Sequence, residues 1–368
     1  MRKNLTLLLV VLLLLMRATE AQTPAHSQFW LDKITTNPAL CGDDMGINLN
    51  GLVRTQWTRI TSQLNTSSFC GDIYFPAPGG TGLGFGFNAQ SNTEGEGKMR
   101  TQKLEAALSG WGTLGTSADF SVGISTGMIG KRIMNPDGLN FSDQMDPVLG
   151  VVYPTGYQFP SLETGFRHVT NAGILARIFW GADRRRKGPI AFSRYILIGG
   201  SLSNLSRTRL TFSDNSVNMT PIRYTIHFAI NRTNGEYKDI DQFFFQPYFI
   251  LTKEGEFSTT SIGSRFFWKQ LQCFAAYRSG KVLDIANRDA IVGGMLLAIA
   301  TGGKEKNGGS LLNISYSYDF TLNGIGYLQA GGTHEIGISY RWKGWRYDSA
   351  VMRMQGHRQG RKKCAGYW

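Results

Sequence analysis

Charge is scarce in this chain: Asp, Glu, Lys and Arg supply 18% of 368 residues, below the roughly 25% of an average soluble protein. No apolar run reaches the roughly 18 residues a spanning helix needs, which excludes a polytopic helical membrane protein. Cysteines number four and histidines five. The cysteines stand at 41, 70, 273 and 364 with no CxxC among them, and the histidines lack metal-ligand spacing. Zinc therefore has little support. GxxxxGK[ST], HExxH and GxSxG are all absent, so no phosphate loop, zincin helix or nucleophile elbow is marked. The chain is read as a non-enzyme without catalytic, metal or cofactor-binding residues. Acidic residues are also few, 26 against 39 basic ones, for a net charge of +13.

What is abundant is glycine, at 45 residues, and aromatics, at 12%. Aromatic richness opposes disorder, and this much glycine penalises helix interiors by about 1 kcal/mol per residue relative to alanine. The composition points to an all-β chain.

Arg2 and Lys3 precede an apolar stretch from Leu5 to Met16, and Thr19-Glu20-Ala21 follows. That order of basic, apolar and small-residue regions reads as a secretory signal peptide over residues 1–21, cleaved near Ala21. An exported chain can oxidise its cysteines. Four of them allow three pairings, and Cys41–Cys70 is the first to test because it flanks the first strand.

Residues 81–90 alternate strictly: Leu83, Phe85, Phe87 and Ala89 share one face, and Gly82, Gly84, Gly86 and Asn88 the other. Period two is the signature of a strand. The same alternation runs through Ile47-Leu49-Val53-Trp57, Phe120-Val122-Ile124, Ile174-Ala176-Ile178-Trp180, Tyr224-Ile226-Phe228-Ile230 and Ile336-Ile338-Tyr340-Trp342. The glycines of 80–86 thus read as a smooth strand face and not as a nucleotide loop. Fourteen strands are expected, near 46–57, 67–76, 81–91, 101–111, 118–129, 172–181, 190–202, 222–231, 241–252, 258–268, 271–278, 290–301, 309–319 and 333–342, with twelve as the alternative. Most match the roughly 9–11 residues that cross a bilayer at a tilt.

The three longest connections, 130–171, 203–221 and 320–332, all fall at odd positions. Outer-membrane barrels pair long outer loops with short periplasmic turns, so the parity selects a membrane barrel over a secreted sandwich. The expected organisation is a signal peptide (1–21), an N-terminal periplasmic or plug segment (22–43), an antiparallel transmembrane barrel (44–342) and a basic tail (343–368). The tail carries a net +6. Arg358, Arg361, Lys362 and Lys363 are its candidate docking residues for an acidic periplasmic partner, since clustered charge steers association. Arg184-Arg185-Arg186-Lys187 forms a second basic run. Nucleic acid is not an expected partner behind a signal peptide. His334-Glu335 opens the last strand and reads as a girdle or turn contact.

His26-Ser-Gln-Phe-Trp30 followed by Thr36-Asn37-Pro38-Ala39-Leu40 resembles the "FSQY…NPAYAG" start of the PorP/SprF family, Bacteroidetes outer-membrane proteins associated with type IX secretion. Arg54-Thr-Gln56-Trp57 resembles its "YRNQW" first strand. Gly82-Leu-Gly84, Ala276-Tyr-Arg278, Tyr316-Ser-Tyr-Asp319 and His334-Glu335-Ile-Gly-Ile-Ser-Tyr-Arg341 continue the likeness in order, and Cys364 resembles its terminal cysteine segment. Leu40 replaces the usual aromatic, and Ala365 the usual proline. The resemblance implies a non-enzymatic role in secreting or displaying a substrate protein, in some members a gliding adhesin. It implies partners among type IX secretion components, the secreted substrate, a periplasmic or peptidoglycan-associated protein, and outer-membrane lipid. The competing reading is a transporter or porin passing small solutes through a polar lumen.

Overall fold

The computed structural model describes residues 26–44, 46–77, 81–114, 118–146, 148–158, 161–182, 192–212, 219–232, 244–268, 270–281, 287–301, 310–324 and 326–342. The expected signal peptide, the Arg184–Lys187 run and the tail with Arg358, Arg361, Lys362, Lys363 and Cys364 lie outside the described residues.

Fourteen strands close one antiparallel barrel. They are β1 (Ile47–Gln56), β2 (Leu64–Pro76), β3 (Gly82–Glu94), β4 (Met99–Leu114), β5 (Ala118–Ile133), β6 (Arg167–Ala182), β7 (Phe192–Ser203), β8 (Arg223–Arg232), β9 (Phe244–Glu254), β10 (Phe257–Trp268), β11 (Leu271–Ser279), β12 (Arg288–Thr301), β13 (Ser310–Thr321) and β14 (Thr333–Trp342). Each pairs with its sequence neighbour, and β1 pairs with β14 from Ile47↔Trp342 to Thr55↔His334. Closure leaves no edge strand, so backbone polar groups in the wall are satisfied by neighbouring strands, as a hydrocarbon surrounding requires. Every expected strand is present, and the twelve-strand alternative is excluded.

The alternation places apolar side chains outward. Leu83, Phe85 and Phe87 are 39–47% exposed, while Asn88, Glu105, Ser125, Arg177, His227 and Glu335 are buried on the inward face. Polar residues inside and apolar residues outside invert the soluble pattern, and a bilayer supplies the reason. Phe85→Arg, on the lipid face, should destabilise the barrel by about 2–4 kcal/mol if it sits near the midplane, read as lost heat-modifiable migration on gels.

Two expectations need correction. Trp57 does not continue the outward stripe of β1: the strand ends at Gln56, and Trp57 takes a positive φ of 58° in the following turn. The parity of connection lengths is weaker than the sequence suggests. The two longest, 134–166 and 204–222, remain odd, but the eighth, 233–243, is as long as the thirteenth, 322–332. The fifth connection carries a short hairpin of its own, Met145–Asp146 with Gly150–Val151.

Candidate functional site

The inward glycines do not line open space. Residues 26–44 lie inside the barrel, and nearly all of them are buried. The segment has little regular structure, a single helical turn α1 (Lys33–Thr36) and a 3-10 turn over Pro38–Leu40. Some of its backbone groups bond within the segment, as from Leu31 N to Gln28 O and from Asn37 N to Lys33 O, and the wall satisfies others. Ser109 and the Trp111 indole donate to the Cys41 carbonyl (2.6 and 2.8 Å). Ser121 donates to Ala39 O (2.8 Å), Ser201 to Thr36 O (2.7 Å) and Arg223 to Thr35 O (3.0 Å).

Asn37-Pro38-Ala39 is the most closely held part. Asn37 caps the 3-10 turn, its Oδ1 accepting from Ala39 N at 2.9 Å. Its Nδ2 donates to Ile174 O at 3.0 Å and Gly200 O at 3.3 Å, and lies 2.9 Å from His227 Nε2. Pro38 begins the turn, where its missing N–H costs nothing. Glycines make the approach feasible. A Cβ on Gly173 would lie 1.9 Å from Asn37 Oδ1, one on Gly123 2.4 Å from Ala39 N, and one on Gly84 2.3 Å from Cys41 O. The glycine face of β3 is therefore a seat and not merely a smooth wall. Gly84→Ser would meet the Cys41 backbone.

Two ionic clusters hold the ends of the segment. At its start, Glu335 accepts from Ser27 N (3.0 Å) and Gln28 N (2.6 Å) and pairs with Arg54 at 2.9 Å. Arg54 also pairs with Asp319 at 3.0 Å, which pairs with Arg278 at 3.1 Å. Ser27 Oγ donates to Asp319 at 2.7 Å. At its end, Lys33 bridges Asp44 and Asp72, both at 3.0 Å. Asp44 meets Arg341 at 2.9 Å, and Asp43 meets Arg177 at 2.9 Å. Burial opposes the Lys33 charge, yet Asp44, Asp72 and Asp43 outweigh it and hold the ammonium well above the usual lysine range. Between the clusters, Trp30 packs edge-on against Phe274 and Tyr248 and lies under the Arg265 guanidinium. Each aromatic contact adds about 0.5–1.5 kcal/mol beyond area burial.

Burial pushes the Asp43 carboxyl up, to about 6, and Arg177 offsets only part of that. Because this value exceeds the ordinary 3.8, seating gains most at acid pH and loses the contribution as pH climbs through 6. Asp43→Asn should therefore remove a contribution that makes spontaneous lumen opening in planar bilayers rarer below about pH 6 than above it.

The sequence-selected residues separate in space. Asn37, Pro38 and Ala39 on the one hand and Glu335 on the other take part in separate lumen contacts. His334 points outward between Tyr316, whose hydroxyl is 2.8 Å from its Nδ1, and the Tyr318 ring. That suits a girdle contact, but Glu335 is no part of it. Gln56 and Trp57 lie at the end of β1 and in its turn, apart from the segment. Cys41 and Cys70 are free thiols buried in one cluster with Ile34 and Ala107, not a disulfide. Asp72, Arg177, His227 and the seat glycines Gly123 and Gly173 escaped sequence reasoning. The one available signal was ionic residues at inward strand positions, as with Arg177 between Ala176 and Ile178.

A model of the family described as "Type IX secretion system membrane protein PorP/SprF" matches residues 18–340. No curated protein matches the chain significantly. Among solved structures, the chain is similar to the Pseudomonas putida toluene transporter TodX, with 9% identity, a TM-score of 0.41, and coverage of 89% of this chain and 96% of that one. The Ralstonia pickettii toluene transporter TbuX is 11% identical with a TM-score of 0.42, covering 84% and 92%. The Acinetobacter baumannii outer membrane protein Omp33 is 7% identical with a TM-score of 0.34, covering 81% and 98%.

Proposed function

Since the chain belongs to the PorP/SprF family of type IX secretion system membrane proteins, we propose that it is a closed outer-membrane barrel that assists export or surface display of a substrate protein through protein–protein contact. The observation that carries this reading is the seated segment of residues 26–44. A lumen filled by side chains that hydrogen-bond and ion-pair with most strands leaves little route for solute. That favours a docking barrel over a porin.

In this reading the wall and the segment form a rigid platform, while partners engage surfaces outside the lumen. The basic tail is one such surface: Arg358, Arg361, Lys362 and Lys363 form its cationic end. Exposed charges add little to folding but steer encounters with acidic partners. Changing these four residues to serine should leave barrel levels and heat-modifiability normal while reducing export of the cognate substrate. Normal secretion by that variant would remove the tail from the proposal.

Deletion of the gene tests the function itself, with cell-surface and medium proteomes compared against the parent strain. Loss of one or a few large exported proteins is the expected result. Unchanged exported proteins with altered uptake of small solutes would replace this reading by a transporter.

A further inference from the structure

Most outward positions of the wall carry large apolar side chains, such as Phe85, Leu108 and Ile124. Over β1 to β3 small residues interrupt them. Gly51 on β1, Ser67 on β2, and Ala89 and Ser91 on β3 share the outward face in two adjacent rows, Gly51 and Ala89 on either side of Phe69, and Ser67 between Val53 and Ser91. Larger neighbours rise around them, Ile336 and Ile338 from β14, Phe69 from β2 and Leu104 from β4. The result is a groove of about 590 Å³ on the membrane-facing surface. Phe166, just before β6, closes its far side. Its ring lies over Gly130, 3.2 Å from where a Cβ would stand, and Gly130 is directly opposite Gln102.

The groove ends beneath two cations. Arg100 on β4 and Arg132 on β5 are cross-strand partners on the outward face, two residues and about 7 Å beyond the Gln102–Gly130 level. Like charges directly opposite each other destabilise a sheet. Neither arginine has a carboxylate within 4.0 Å among the described residues, although Glu163 is bridged to Arg132 through the backbone. Arg100 Nε is buried without a hydrogen-bond partner. Paired guanidinium groups with spare donors suit a phosphate, which they can grip bidentately.

An apolar trough in the bilayer zone, topped at the strand ends by an arginine pair of which Arg132 alone has an acidic cross-strand neighbour, Glu163, has the polarity of an amphiphile. We propose that this face binds one phosphate-bearing membrane lipid, its acyl chain along Gly51, Ser67 and Ala89 and its phosphate between Arg100 and Arg132. The lipid neutralises the repulsion that the sheet otherwise retains.

Native mass spectrometry of the delipidated, detergent-solubilised full chain tests this with phosphatidic acid, diacylglycerol of the same chains, and inorganic phosphate. Phosphatidic acid should be retained one per barrel, at least about fivefold better than diacylglycerol. Arg100→Ser with Arg132→Ser should erase that preference. Ala89→Trp should fill the trough and weaken retention of both lipids, in a barrel of normal heat-modifiable migration. Equal retention of the two lipids by the parent protein would overturn the proposal, as would a preference that survives the double arginine change. Displacement of phosphatidic acid by equimolar inorganic phosphate would overturn it too, since the trough would then contribute nothing.

Discussion

Replacing Gly123 and Gly173 together by leucine is expected to convert a closed barrel into a conducting one. Both positions face the lumen, and both meet the Asn37-Pro38-Ala39 turn at distances no side chain tolerates, 2.4 Å from Ala39 N and 1.9 Å from Asn37 Oδ1. The atoms in the way of Gly123 are backbone, so they cannot rotate aside. The wall itself is held by ladders across β4, β5, β6 and β7 and need not change. The segment is the softer partner and must leave its seat. Barrels of 16–18 strands hold an aqueous channel while 8-stranded ones fill their interior, so a 14-stranded barrel relieved of its segment should pass ions. Single-channel recording should show conductance rising about tenfold or more over the parent protein. Gly110→Ala is the control: it points outward with nothing within 4 Å and should leave conductance and stability as they are. A double-leucine barrel that migrates normally yet stays closed would show that the seat is not what keeps the lumen shut.

Glu335→Ala is expected to be among the most damaging single substitutions in the wall. The carboxylate receives two backbone N–H groups of the segment and one arginine. Its loss leaves Arg54 buried with Asp319 as its one remaining carboxylate partner and strands the N–H groups of Ser27 and Gln28. Breaking a buried ion pair by removing one partner costs about 3–5 kcal/mol, and the effect should appear as a lower urea midpoint for folded migration. His334→Ala, one residue earlier, should cost less than about 1 kcal/mol, because the imidazole is outside and its contacts are with the exposed Tyr316 and the half-buried Tyr318. Adjacent residues with a several-fold difference in cost are the expected signature of opposite faces. A comparable cost for the two would place Glu335 outside the anchoring cluster.

The same contrast separates what could be read early from what could not. His334 and Glu335 carry the family motif together, and the motif says nothing about which of them faces inward. Arg54, Arg278, Asp319 and Arg341 also sit in quoted motifs, and each proves to be an inward ionic group. Several of their partners lie hundreds of residues away, as with Arg54 and Glu335 at a separation of 281. No spacing rule reaches that far. The Cys41–Cys70 expectation illustrates a halfway case. The two thiols do share one small cluster, but the structure keeps both reduced, with Cys70 Sγ donating to Leu31 O at 2.9 Å. Burial, helped by the nearby Asp72 carboxylate, holds the Cys41 thiol above its ordinary pKa, which suits an inert packed group.

The sequence by itself determined the barrel, the faces of its strands and their order, with fourteen strands expected and twelve left open. Each of these rests on a local rule, because side chains alternate every residue and a bilayer demands apolar groups on one face only. What fills the interior was decided by tertiary structure alone. Glycine, serine, asparagine and paired charges on the inward face suit a wet channel as well as a closely seated segment, and period two is the same in both. Only when closure brings β1 beside β14 do Arg54, Asp319 and Glu335 converge on Ser27 and Gln28. Only then do Gly123 and Gly173 become a surface shaped to Asn37-Pro38-Ala39. The local pattern encodes which way each residue points, and the contacts made there depend on a closed ring of strands drawing distant positions into one lumen.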